Sequence, residues 1–147
     1  MVDAGETGQP EAAPVGDHHH NRGVDRRWTP LLAKKFCPVS SIFLEHYHEL
    51  QPRAGARAMN STEAMLIIQL LDFKWDERAP FPTVKRIAMR MGLSVRMIRT
   101  AMKNLEDGGY IRRDPMSDGG PNRYYFEGLF TALEKFVPAK ASAQEAA

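Results

Sequence analysis

Arg96, Arg99, Thr100 and Lys103 recur at intervals of three and four residues. On a helix turning about 100° per residue they share one side, and Ile98, Ala101 and Leu105 form a stripe on the other. A guanidinium is a planar fork of donors that matches two acceptors at once, such as phosphate oxygens or O6 and N7 of guanine. Lysine and threonine reach phosphates or bases singly. Three cations and a hydroxyl on one helix face therefore suit a polyanion with a readable edge. An ordinary amphipathic helix with a basic exterior has the same composition, so the flanking segments must decide.

Other chemistries find less support. The 147 residues contain no paired-carboxylate motif, no phosphate-cradling glycine loop and no Cys/His or Ser/His arrangement in a sensible context, so no enzyme and no cofactor is expected. Cys37 is the single cysteine, which excludes an intrachain disulfide and a cysteine-based zinc site. It has no evident activating neighbour and reads as a plain small residue. His18, His19 and His20 could hold a transition metal weakly, but a flexible tail is the simpler reading, and no metal site is assigned. His46 and His48 are two apart, which splays them on a helix, and they read as surface residues.

Charge is localised. The net charge is only +2, yet residues 81–125 carry nine cations against four anions. A basic block in a near-neutral chain implies a surface facing a polyanion there.

The elements that would position the four residues can be read nearby. Thr83 can cap a helix over Val84–Met91; Gly92-Leu93-Ser94 follow; Ser94 can cap a second helix from Val95 to about Glu106, ended by Asp107-Gly108-Gly109. Two short helices joined by a three-residue turn containing glycine form the helix-turn-helix pattern. Ala88 stands where the helices pass closely, Gly92 where the turn needs positive φ, and Ile98 where the second helix needs an apolar anchor. Ile87, Met91, Leu93, Ala101 and Leu105 fill the other buried slots. Tyr110–Asp114 and Asn122–Phe126 then flank a Gly-containing turn, which reads as a β-hairpin. A hairpin behind such a helix would act as a wing. Its Arg112, Arg113 and Arg123 would lie beside the backbone or minor groove of a duplex. Tyr124 and Phe126 alternate onto one face and are expected to pack on the helices, with nucleobase stacking as the alternative.

The remainder supports one domain between tails. Residues 1–27 are expected to be a disordered tail, 28–137 the domain with an extra N-terminal helix, and 138–147 a flexible end. That extra helix is placed over Val39–Leu50 with Ser40 or Ser41 as cap. Asn60 and Glu63 open a core helix running to Phe73 with a capping-box spacing. Residues 76–80 break it, and Phe81, preceding Pro82, reads as extended. A last helix is expected over Glu127–Val137, with Leu129, Phe130, Leu133 and Phe136 on one side. No apolar run approaches the ~18–20 residues needed to cross a membrane, and no secretory signal is evident. A cytoplasmic, nucleoid-associated protein is expected. Val39–Leu50 and Leu129–Phe136 are candidate elements of a homodimer.

Residues 38–137 resemble the winged helix-turn-helix domains of bacterial and phage replication initiators, primosome proteins and small transcription regulators. The resemblance rests on 81–88 (FPTVKRIA), 91–96 (MGLSVR), 105–111 (LEDGGYI), 121–124 (PNRY) and the closing segment around Gly128-Leu129-Phe130. It implies a mainly α fold with a small β-hairpin wing, and a second helix that reads DNA through Ser94, Arg96, Arg99 and Thr100. Val95 departs from the pattern, standing where a polar or basic residue is common; it could touch a thymine methyl. The expected interface with double-stranded DNA is then Thr83, Lys85, Ser94, Val95, Arg96, Arg99, Thr100, Lys103, Arg112, Arg113 and Arg123. Function is read as sequence-specific transcription regulation, with RNA polymerase as a partner. The alternatives are origin-binding replication initiation with replication proteins, and a winged helix used for protein contacts alone.

Overall fold

A computed structural model describes residues 23–74, 79–80, 82–116 and 119–138. The tail before residue 23, the histidine run, residues 76–78 of the break, Phe81 and the end beyond 138 lie outside the described residues. The chain falls into two units, Met1–Phe36 and Cys37–Ala147. In the first, helix α1 spans Val24–Arg27, so the expected unstructured tail ends in a helical turn. A 3₁₀ turn follows over Leu32–Lys34. Residues 28–36, expected within the larger domain, group with this unit and bury no side chain.

The second unit carries the core. Helix α2 is Ser41–His46, shorter than expected. His46 leaves the helical region at φ −123°, ψ −3°, and Tyr47–Glu49 continue as a 3₁₀ turn. His46 bonds Glu49 and stacks on Phe136 with ring centroids 4.2 Å apart, so it is held in place rather than free on the surface.

Helix α3, Ser61–Asp72, opens with the full capping box: Asn60 Oδ1 accepts from the Glu63 amide at 2.8 Å, and Glu63 Oε1 accepts from the Asn60 amide at 3.1 Å. The Glu63 carboxylate is buried, and Arg57 Nη2 donates to both its oxygens at 3.0 and 2.7 Å. Arg57 is more than half exposed, so it compensates the buried carboxylate from the solvent side, and removing it would leave that charge unpaired. Leu66, Ile67 and Leu70 of α3 are fully buried.

Helices α4 (Val84–Met91) and α5 (Val95–Asp107) pack on α3. They contribute Ile87, Ala88, Ile98, Ala101, Met102 and Leu105 to the core. Strands β1 (Arg112–Asp114) and β2 (Arg123–Tyr125) form an antiparallel pair in which Arg113 faces Tyr124. The strands are shorter than the sequence suggests because Tyr110 and Ile111 turn inward and are buried instead. On its other edge, the Tyr124 amide donates to the Pro80 carbonyl at 3.1 Å. Tyr124 and Phe126 are buried, as expected for side chains packing on the helices. Helix α6, Glu127–Glu134, ends sooner than expected and packs on α2. Val39, Ile42, Phe43, Leu129, Phe130, Leu133 and Val137 line an apolar cavity of about 230 Å³ where α2 and α6 meet.

The junction between α5 and α6 depends on Gly109, against which Gly128 of α6 packs. Gly109 takes φ +77°, and its amide and that of Tyr110 donate to the Glu106 and Leu105 carbonyls at 3.0 Å, closing α5. Arg53 Nη1 donates to the Asp107 carbonyl at 2.9 Å, and the Leu129 amide to the Tyr110 carbonyl at 3.0 Å. The Tyr110 hydroxyl lies 2.8 and 3.0 Å from the carbonyls of Leu50 and Arg57 and ties that loop to the base of the hairpin.

Candidate nucleic-acid interface

Two helix starts set the geometry. Thr83 Oγ1 accepts from the Arg86 amide at 3.1 Å, and Ser94 Oγ accepts from the Met97 amide at 3.2 Å. Each hydroxyl spends an oxygen lone pair on its cap and keeps its own proton to donate outward. Between them, Gly92 adopts φ +67°, ψ 30°, and the Leu93 amide donates to the Ala88 carbonyl at 3.1 Å. Ala88 is buried at the helix crossing. This turn fixes the rotation of α5, with Ile98, Ala101, Met102 and Leu105 inward.

Arg96, Arg99, Thr100 and Lys103 are all exposed on the opposite face. Among the described residues, none of the three cations has an ion-pair or hydrogen-bond partner. Lys85, on the first turn of α4, is likewise exposed. The other two α4 arginines are occupied: Arg86 and Arg90 both lie 4.8 Å from the Phe73 ring centre, and Arg90 also pairs with Asp72.

The hairpin arginines divide. Arg113 Nε pairs with Glu106 at 2.8 Å. Arg112 sits 4.1 Å over the Tyr125 ring and 3.5 Å from Glu127. Arg123 is exposed and has no such partner among the described residues. Val95 is half-buried and packs partly against the core. Two α5 residues outside the expected set share the exposed arc: Met97 and Asn104, which with Thr100 repeat at i, i+3, i+7. That spacing was readable, but neither carries charge.

Residues 57–111 match a family model described as a helix-turn-helix domain. The match spans α3, α4 and α5, and the antiparallel hairpin follows directly. Helices α3 to α5 form a helix-turn-helix, and the hairpin behind them is consistent with a winged helix. Such a domain indicates DNA binding in general. No curated protein matches the chain. The wing and α6 lie beyond the matched residues, so the geometry supplies them.

Elsewhere the site chemistry is quiet. The Cys37 thiol is pushed above its ordinary value by burial and by Asp72, so it stays protonated. Among the described residues, no group of three or more His, Cys, Asp or Glu could hold a metal, and no helix is long and apolar enough to cross a membrane.

Proposed function

We propose that this chain is a sequence-specific binder of double-stranded DNA that serves as a transcription regulator, and not an enzyme. Helix α5 enters the major groove, and Arg123 on the wing meets the backbone or minor groove. The protein acts in the cytoplasm at the nucleoid, by occluding or recruiting RNA polymerase. The observation that carries the reading is the outward row of Arg96, Arg99 and Lys103, unpaired among the described residues and held in register by two caps and the Gly92 turn. Unpaired guanidiniums break no ion pair when they turn onto guanine edges or phosphates.

One small domain buries little DNA surface, so two copies on adjacent half-sites would complete the recognition. One chain per duplex, by mass of the complex on a palindromic selected duplex, would count against that pairing. Genome-wide mapping of bound sites tests the main reading. Enrichment at many promoters supports a regulator. Binding confined to one origin assigns the same surface to replication initiation, with replication proteins as partners. No enrichment anywhere removes DNA recognition altogether.

A further inference from the structure

The exposed arc of α5 holds two stripes of different chemistry. One is cationic: Arg96, Arg99 and Lys103. The other is uncharged: Met97, Thr100 and Asn104. The uncharged stripe faces the first turn of α3, and together they wall an open cleft of about 310 Å³ whose lining includes Asn60, Thr62 and Glu63 from the start of α3 and Met97, Thr100 and Asn104 from α5. Met97 is 52% exposed there, on a helix whose other large apolar side chains are buried or half-buried. The start of α3 disfavours an anion in the cleft, because Glu63 accepts from the Asn60 amide and places a carboxylate there.

We infer that Met97 is a specificity-determining residue that packs on the 5-methyl group of a thymine, and that this α5–α3 cleft admits the edge of an A·T pair. The inference rests on the reading above that α5 enters the major groove. The major groove presents one apolar feature, the thymine methyl, so an exposed apolar side chain on the reading helix has one complement there. Val95, the other apolar residue near the helix start, packs against the core and leaves that role to Met97. A flexible thioether adapts to a methyl group at little cost. The amide of Asn104, two turns along the same stripe, matches N6 and N7 of an adenine in a neighbouring pair.

The test uses the full chain. A duplex consensus is first selected by the wild-type protein from a random pool. Each thymine of that duplex is then replaced in turn by deoxyuridine, which removes only the methyl group. At one thymine the replacement should weaken wild-type binding about fourfold, the value of one buried methylene. M97A should bind the original duplex about as weakly and show no further loss with deoxyuridine. M97L, which keeps an apolar tip, should restore the sensitivity. A consensus in which no thymine is methyl-sensitive overturns the inference, and so does a sensitivity that survives in M97A. Neither result touches the proposed function, whereas failure to select any duplex removes both.

Discussion

The Gly109 carbonyl oxygen occupies the space that a side chain on Gly128 would need: a Cβ there would fall 1.8 Å from it. The first turn of α6 is thereby pressed onto the end of α5, the helix that carries the cationic face. Pro52 Cβ lies 3.7 Å from the same point, so the approach is closed on a second side.

Gly128→Ala should therefore destabilise the domain by about 3 kcal/mol, since backbone must move to admit one methyl group. Denaturant unfolding measures it, and a loss under about 0.5 kcal/mol would show that the two segments separate easily. The same substitution at Thr131, exposed one turn later on α6, should be close to neutral.

Salt dependence follows from the count of free cations. Lys85, Arg96, Arg99, Lys103 and Arg123 are exposed and without ion-pair partners among the described residues. At roughly 0.9 counterion released per neutralised phosphate, the log–log slope of affinity against salt should be about −4 to −5 per domain. Fluorescence anisotropy between 50 and 300 mM salt reads it. A flat dependence would contradict the electrostatic role of this surface.

Base readout and backbone contact should separate by position. Arg96→Ala or Arg99→Ala should lose about 1–3 kcal/mol of preference for the selected site over random duplex. Arg123→Ala should weaken all duplexes alike and reduce the slope by about one. Arg113→Ala should change the slope far less, because its charge is already met by Glu106. Equal slopes for the Arg113 and Arg123 variants would show that the wing opens its ion pair on DNA.

Stability should fall on the alkaline side. Burial, with the Glu63 carboxylate adding to it, holds the Tyr110 phenol above its ordinary value of 10.0, and burial does the same for Tyr124. The folded state therefore prefers the protonated phenols, while the unfolded chain gives up those protons first. Their contribution is full below about pH 10 and is lost as pH rises through the raised values. Melting temperature should hold to pH 9 and drop beyond 10. Tyr110→Phe should cost about 1–2 kcal/mol at neutral pH, from the lost bond to the Leu50 or Arg57 carbonyl. It should also shrink the alkaline drop. An unchanged alkaline limb in this variant would place the titrating group elsewhere.

What the sequence disclosed was local. Caps at Asn60, Thr83 and Ser94 and the turn at Gly92 act within four residues, so helices α3, α4 and α5 could be placed nearly to the residue. The cationic stripe was legible for the same reason, being a property of one helix. What stayed hidden depends on partners far along the chain. Arg113 looks as free as Arg123 until Glu106 is brought beside it. Val95 looks like a surface residue of α5 until the core reaches it. Strand β1 looked two residues longer because nothing local says that Tyr110 turns inward to meet Leu50, sixty residues earlier. The Phe136 ring that stacks on His46 belongs to the other end of the domain, so its hold on the end of α2 could not be read from Val39–Leu50 alone.

The amide bond from Tyr124 to Pro80 has a thermodynamic meaning for association. It moors the hairpin to the stretch that leads into α4, on the edge away from β1. The hairpin and α5 are thus spaced in the free protein, so the proposed docking on a duplex need not freeze a swinging arm. Calorimetry of the complex should then show a small heat-capacity change, set by the contact surface alone, without the large negative value that accompanies folding upon binding.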